Sequence, residues 1–139
     1  MIILDTDVIS EPMKLNGNTA VKSWLDKQVI ETLHLTTISL SELLIGIEIL
    51  PAGKRKESLS SELNTLLVRL FGSRILSFDH EAALKYAPLI SYARARGQPI
   101  SMADGQIAAI AQVNGFIVAT RDTTSFIAAG VPVINPWED

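Results

Sequence analysis

The stretch MIILDTDVI, residues 1–9, puts four apolar side chains directly in front of Asp5, Thr6 and Asp7. A short apolar run without alternation, closed by polar residues, is the pattern of a strand covered on both faces, as in a parallel sheet. In an open α/β sheet, ligands sit outside the carboxyl ends of the strands. Asp5 therefore stands where chemistry is expected, and the question is what else the chain brings to that edge.

With 139 residues, the natural expectation is one domain over 1–139. A domain of this size hides roughly two-thirds of its unfolded surface. The apolar fraction of 47% against 19% charged residues suits a compact globule rather than a disordered chain. The absence of cysteine excludes disulfides and thiolate metal sites, and His34 and His80 alone make a zinc site a poor expectation. No apolar run reaches the roughly 18 residues of a membrane span. The N-terminus has neither a basic leader nor a cleavage signal, so a cytoplasmic location is expected, with no membrane association. The net charge of −3 argues against a general nucleic-acid binder, although two bound divalent cations would reverse its sign.

Working outward, SEPMKLNGN (residues 10–18) is turn-rich, and 19–28 reads as a short helix burying Val21, Trp24 and Leu25. LHLTT (33–37) is a second strand. Ser39 then stands as an N-cap with Glu42 three positions on, a capping-box pattern. The helix behind it carries Leu40, Leu43, Leu44, Ile47 and Leu50 on one stripe, widened by Ile45 and Ile49. Pro51-Ala52-Gly53 stops it, and a second helix spans 54–71. The pair reads as a hairpin with apolar surface to spare, either core or interface. Strands follow at 75–78, 116–120 and 131–134. Asp79 caps a helix over 80–96 that Pro88 should kink or break, and Ser101 opens the next helix, ended by Gly115. Strands alternating with helices predict an α/β fold: a doubly wound, parallel twisted sheet of about five strands flanked by helices.

In that topology Asp5 follows strand one, Glu42 starts the helix after strand two, and Asp122 follows strand four, all at the carboxyl edge. The helix from Asp104 back to Phe116 spans about 18 Å at 1.5 Å per residue. A five-residue strand rises about 17 Å, so Asp104 begins at the same edge. Four carboxylates from four segments thus converge on one rim. They cannot all ionise close together without a counter-charge, which points to a hard divalent cation, Mg²⁺ or Mn²⁺. Such a site suits phosphodiester hydrolysis. Taken singly, each acid has a plainer explanation. Glu42 and Asp104 occupy capping positions, and Asp5 and Asp122 can start turns. Asp5-Thr6-Asp7 also opens a rival, a phosphatase with Asp5 as nucleophile, but the later acidic pair such an enzyme needs is absent. His34 reads as packed or edge-exposed, His80 as a surface residue, and Lys54-Arg55-Lys56 as a solvated corner. Arg121 is placed for a phosphate or for pairing with a carboxylate, and Trp24 and Trp137 read as packing.

ILDTDVISEP (3–12), ISLSELLIGIEIL (38–50), ADGQIAA (103–109), ATRDTTSF (119–126) and the ending NPWED (135–139) together resemble the PIN-domain ribonucleases, and among them the VapC/FitB-type toxins of toxin–antitoxin modules. The resemblance runs through the whole chain. It implies that Asp5, Glu42, Asp104 and Asp122 match an acidic quartet binding Mg²⁺ or Mn²⁺ for RNA cleavage. Thr6 and Thr120 match hydroxyl positions flanking it; Asp7 and Arg121, by their own places beside Asp5 and Asp122, are expected to support the site. It further implies a homodimer, a small antitoxin protein wrapped on the helix hairpin, and promoter DNA bound indirectly through that antitoxin. Two departures stand out: the family usually has Asn where this chain has Asp7, and Pro88 falls in a helix that is normally continuous. A non-catalytic member acting through antitoxin and DNA remains the alternative to a nuclease.

Overall fold

The computed structural model describes residues 1–138; Asp139, the last residue of the NPWED ending, lies outside the described residues. The strands are β1 (Ile2–Leu4), β2 (Leu33–Thr36), β3 (Ile75–Leu76), β4 (Ile117–Ala119) and β5 (Val133–Ile134). They form one five-stranded sheet in the order β3-β2-β1-β4-β5, with every pairing parallel. Among the described residues seven α-helices connect them: α1 (Thr6–Ser10), α2 (Thr19–Asp26), α3 (Thr37–Glu48), α4 (Lys54–Leu70), α5 (His80–Ala95), α6 (Met102–Asn114) and α7 (Thr123–Ala128). The strand order reverses between β1 and β4, so the crevice outside their carboxyl ends is the switch point where such sheets bind ligands.

Alternate residues of the central strands feed two cores. Leu4, Leu33, Leu35 and Ala119 pack with α1 to α4. Ile3 and Val118 pack with α5, α6 and α7. This is why the strands read as continuous apolar runs: both faces are covered.

Several local expectations change. Strand three ends at Leu76 rather than residue 78, and the strands expected at 33–37, 116–120 and 131–134 are each trimmed at one or both ends. α1 ends where the turn-rich segment 10–18 begins, and that segment opens as a 3-10 turn over Glu11–Met13. α3 is capped by Thr36, whose hydroxyl accepts from the Ser39 N–H at 3.1 Å. Ser39 is therefore the third helical residue and not the cap, because β2 ends at Thr36 and the chain turns at the first residue able to cap. Glu42 falls in the second turn and takes no part in capping. α5 runs unbroken through Pro88. Tight packing on α6 holds it, since α5 and α6 share Ala82, Leu89, Ile107 and Ala111 in one core. His34 lies against Phe116, with ring centroids 4.7 Å apart, and burial lowers its pKa. Lys56 donates to the Glu48 carbonyl at 2.8 Å, closing the C-terminus of α3. Among the described residues no helix is long and apolar enough to cross a membrane.

Two glycines should respond oppositely to alanine. A Cβ on Gly105 would stand 2.7 Å from Ile90 Cδ1 and 2.9 Å from the Tyr86 ring, whereas one on Gly46 in α3 would meet nothing within 4 Å. Gly46→Ala should stabilise by about 0.5–1 kcal/mol through helix propensity. Gly105→Ala should cost about 1 kcal/mol net through overpacking. Denaturant unfolding of the two variants checks the sign of each.

Candidate active site at the carboxyl edge

Asp5 follows β1 directly and caps α1. Its backbone N–H donates to the Ala119 carbonyl at 2.9 Å, extending the β1–β4 ladder by one rung. Its side chain is 7% exposed. Oδ1 accepts from the Thr6 N–H and Oδ2 from the fully buried Thr120 hydroxyl, both at 2.8 Å. Thr120 Oγ1 in turn accepts from the Asp122 N–H at 3.0 Å. One threonine after β4 therefore links two of the four acids.

Glu42 reaches the same edge from α3, where its Oε1 accepts from Thr6 Oγ1 at 2.7 Å. With the cap supplied by Thr36, the plainer explanation of Glu42 is gone. Asp122 stands at the N-cap position of α7, yet its carboxylate caps no backbone N–H and instead accepts from Ser125 Oγ at 2.9 Å. Asp104 sits at the third position of α6, whose cap Ser101 accepts from the Asp104 N–H at 3.2 Å. Asp7 Oδ2 accepts from the Arg121 N–H at 3.2 Å, while its Oδ1 is buried without a hydrogen-bond partner. The Arg121 guanidinium carbon lies 5.3 Å from the centre of the Trp137 ring. Asp5, Glu42, Asp104 and Asp122 are thus brought together, with Thr6, Asp7, Thr120 and Arg121 around them. Ser125 and the Arg121–Trp137 contact are additions that no spacing in the sequence signals.

Electrostatics describe the same cluster. Burial, and then the Asp7 charge, push the Asp5 carboxyl up to about 7 against the hydrogen bonds from Thr120 and Thr6, with Asp104 adding to the rise. Burial also raises Asp7, with Asp122 contributing. Asp104 is raised by burial, then by Asp122, with a smaller contribution from Glu42. Each of the three is held up partly by other members of the cluster, so the rim is short of positive charge.

The family model for the PIN domain matches residues 2–131. The chain belongs to the PIN-domain family. Its relatives include the VapC ribonuclease Y4jK of Sinorhizobium fredii, 47% identical over 99% of both chains, and the toxin FitB of Neisseria gonorrhoeae, 47% identical over the full length of both. A solved structure of FitAB bound to an IR36 DNA fragment superposes with a TM-score of 0.94 at 45% identity, covering 99% of this chain and 96% of that one. This PIN domain is therefore of the VapC/FitB toxin type, which displaces the phosphatase alternative for Asp5-Thr6-Asp7.

The donor set of this PIN domain is carboxylate oxygen throughout, the chemistry of Mg²⁺ and Mn²⁺. Among the described residues, no three acidic or histidine side chains are already gathered as ligands of one ion. A small hard cation retains several waters and needs only one or two direct carboxylates, so the set fits with water completing the shell. Asp7 Oδ1 is buried without a partner and the Asp5 and Asp104 carboxyls are raised, a set that a divalent cation would compensate.

The raised Asp5 carboxyl gives stability a sign with pH. Between its ordinary value of 3.8 and about 7, the folded chain keeps a proton that the unfolded chain has lost. Metal-free stability should therefore fall as pH rises through that window, by at most about 1.4 kcal/mol per unit for this group. Asp5→Asn removes its share of the slope, so the variant should match or exceed wild type at about pH 8 in EDTA. Thermal unfolding across pH checks this, and a wild type that stabilises steadily with rising pH would contradict it.

Proposed function

We propose that this protein is a metal-dependent endoribonuclease that acts as the toxin of a toxin–antitoxin pair. The observation that carries the proposal is the meeting of Asp5, Glu42, Asp104 and Asp122, from four separate segments, at the switch point of the sheet. The VapC ribonuclease among its relatives supports RNA as the substrate. Mg²⁺ or Mn²⁺, when bound, supplies Lewis acidity and orients water for attack on a phosphodiester. Asp5 and Asp104 would hold the principal ion, and Glu42 and Asp122 would complete the site or hold a second. Thr120 and the Thr6 N–H fix both oxygens of Asp5 so that its orientation is set before any ion arrives. Thr6 Oγ1 does the same for Glu42, and Ser125 for Asp122.

The partners follow from the surface and the relatives. Leu44 and Ile45 on α3, Ile49 just after it and Val68 on α4 are all exposed. A groove of about 410 Å³ between α3, α4 and the segment after α1 runs from Met13, Leu15 and Leu59 up to Thr6 and Glu42. An antitoxin segment laid over this apolar hairpin would end at the acidic rim and block it. The FitAB structure bound to an IR36 DNA fragment supports a DNA-binding toxin–antitoxin complex; in this reading the DNA is the promoter, held through the antitoxin, and the toxin is a homodimer.

Purified wild type should cleave a total-RNA pool with Mg²⁺ or Mn²⁺ and stop in EDTA. Asp5→Asn should lose more than about a hundredfold in rate while staying folded, and Thr120→Val about ten- to hundredfold as the loss of an orienting partner. Retained cleavage in Asp5→Asn would sink the assignment. Separately, Ile45→Asp and Ile49→Asp should weaken capture by the co-expressed product of an adjoining short reading frame without lowering RNA cleavage. Co-purification and cleavage assays on the same variants check this.

A further inference from the structure

A ribonuclease must hold the strand on both sides of the bond it cuts, and an acidic rim repels a polyanion. Arg121 follows Thr120 and precedes Asp122, so it lies on that rim, and it is exposed. Its backbone N–H is bound to Asp7, which fixes where the side chain starts. With Asp7 and Asp122 so near, the expected fate of its guanidinium is an ion pair. Among the described residues, however, the one salt bridge within 4.0 Å joins Lys14 to Glu11. The Arg121 guanidinium instead lies over the Trp137 ring, 5.3 Å from its centre and within cation–π range.

The topology explains the meeting. β4 and β5 are parallel neighbours, with Ala119 paired to Ile134, and the Thr120 N–H donates to the Ile134 carbonyl at 2.9 Å. Arg121 and Trp137 therefore leave the sheet at the same edge on adjacent strands. Asn135 then folds the exit back, its Oδ1 accepting from the Trp137 N–H at 3.0 Å and its carbonyl from the Glu138 N–H at 3.1 Å. Trp137 also packs against the core on the α1 to α4 side. The indole is thus a fixed platform. A cation–π contact uses no N–H donor, so it leaves the planar fork of the guanidinium unspent, the group that takes a phosphate bidentately. Holding a long side chain in place beforehand also reduces the entropy lost on binding.

We propose that Arg121, seated on Trp137, is a positioning residue that grips a phosphate of the RNA strand beside the one being cleaved. This rests on the ribonuclease reading above. It gives the Asn135-Pro136-Trp137 ending a task in substrate binding, as the support of the arginine. The grip contacts the strand and not the reacting atoms, so its loss weakens binding more than turnover.

The test separates the two readings. Binding of a fluorescein-labelled, mixed-sequence single-stranded RNA is followed by anisotropy in Mg²⁺ across a salt series, in the non-cleaving Asp5→Asn background. Cleavage kinetics are followed in otherwise wild-type protein. Arg121→Gln should raise KM about tenfold with kcat changed less than about twofold, and the slope of log affinity against log salt should shrink by about 0.7, one phosphate contact to a single strand. Arg121→Lys should restore the slope but only part of KM, because it keeps the charge and loses the fork. Trp137→Leu should raise KM in the same direction, with Arg121 itself still present. Unchanged KM and salt slope in Arg121→Gln overturns the inference, even if antitoxin capture weakens instead. A wild type that binds RNA without cutting it overturns the ribonuclease reading and leaves the salt slope to decide on Arg121. A protein that neither binds nor cuts overturns both.

Discussion

The hydrogen bond from Thr120 to Asp5 joins the ends of β1 and β4 at the one place where the strand order of the sheet reverses. It is a buried contact between residues 115 positions apart, and it forms only when the central pair of strands is in register. Around it the chain gathers Asp7, Glu42, Asp104 and Asp122. Burying a carboxylate in this way is costly unless it is neutralised or partnered. Two hydrogen bonds answer part of that cost, and the rest appears as a carboxyl pushed up to about 7. The site is therefore strained electrostatically rather than sterically, since among the described residues only glycines have positive φ. A bound cation would relieve this strain, which is why the proposed function places one at the rim.

The remaining architecture serves that edge. The α5–α6 pairing sets the height at which α6 begins, and with it the position of Asp104. The Thr36 cap turns the chain into α3 early enough for Glu42 to face Thr6 across the crevice. The α3–α4 hairpin leaves Leu44, Ile45 and Val68 exposed, and a groove lined by Leu43, Gly46, Ile47 and Leu59 reaches the rim at Thr6 and Glu42. β5 carries the chain's last turn up beside β4, where Trp137 meets Arg121.

Much of this was legible in the residues. The unalternating apolar runs before Asp5 and at 116–120 announce a sheet covered on both faces, and helix length against strand height brings Asp104 to the right edge. The resemblance of ILDTDVISEP and ATRDTTSF then names the family. Less visible were α1 and α7, at five and six residues too short to show a helical period. The cap of α3 went to Ser39 in the sequence because S-x-x-E is a strong local pattern, but the end of β2 decides the matter and is set by tertiary pairing. Pro88 argued for a break that packing against α6 overrides. The links Thr6–Glu42, Thr120–Asp5 and Arg121–Trp137 join distant parts of the chain, and no local pattern encodes them.

The central claim is that the rim is a carboxylate cluster short of one counter-charge, in which Asp5 carries a proton near neutrality. Calorimetric titration of the metal-free protein with Mn²⁺ at about pH 6.5, in buffers of different ionisation enthalpy, tests it most directly. The account predicts saturable binding with proton release, and a smaller release in Asp5→Asn. Binding that releases no proton, or release unchanged in Asp5→Asn, would contradict it.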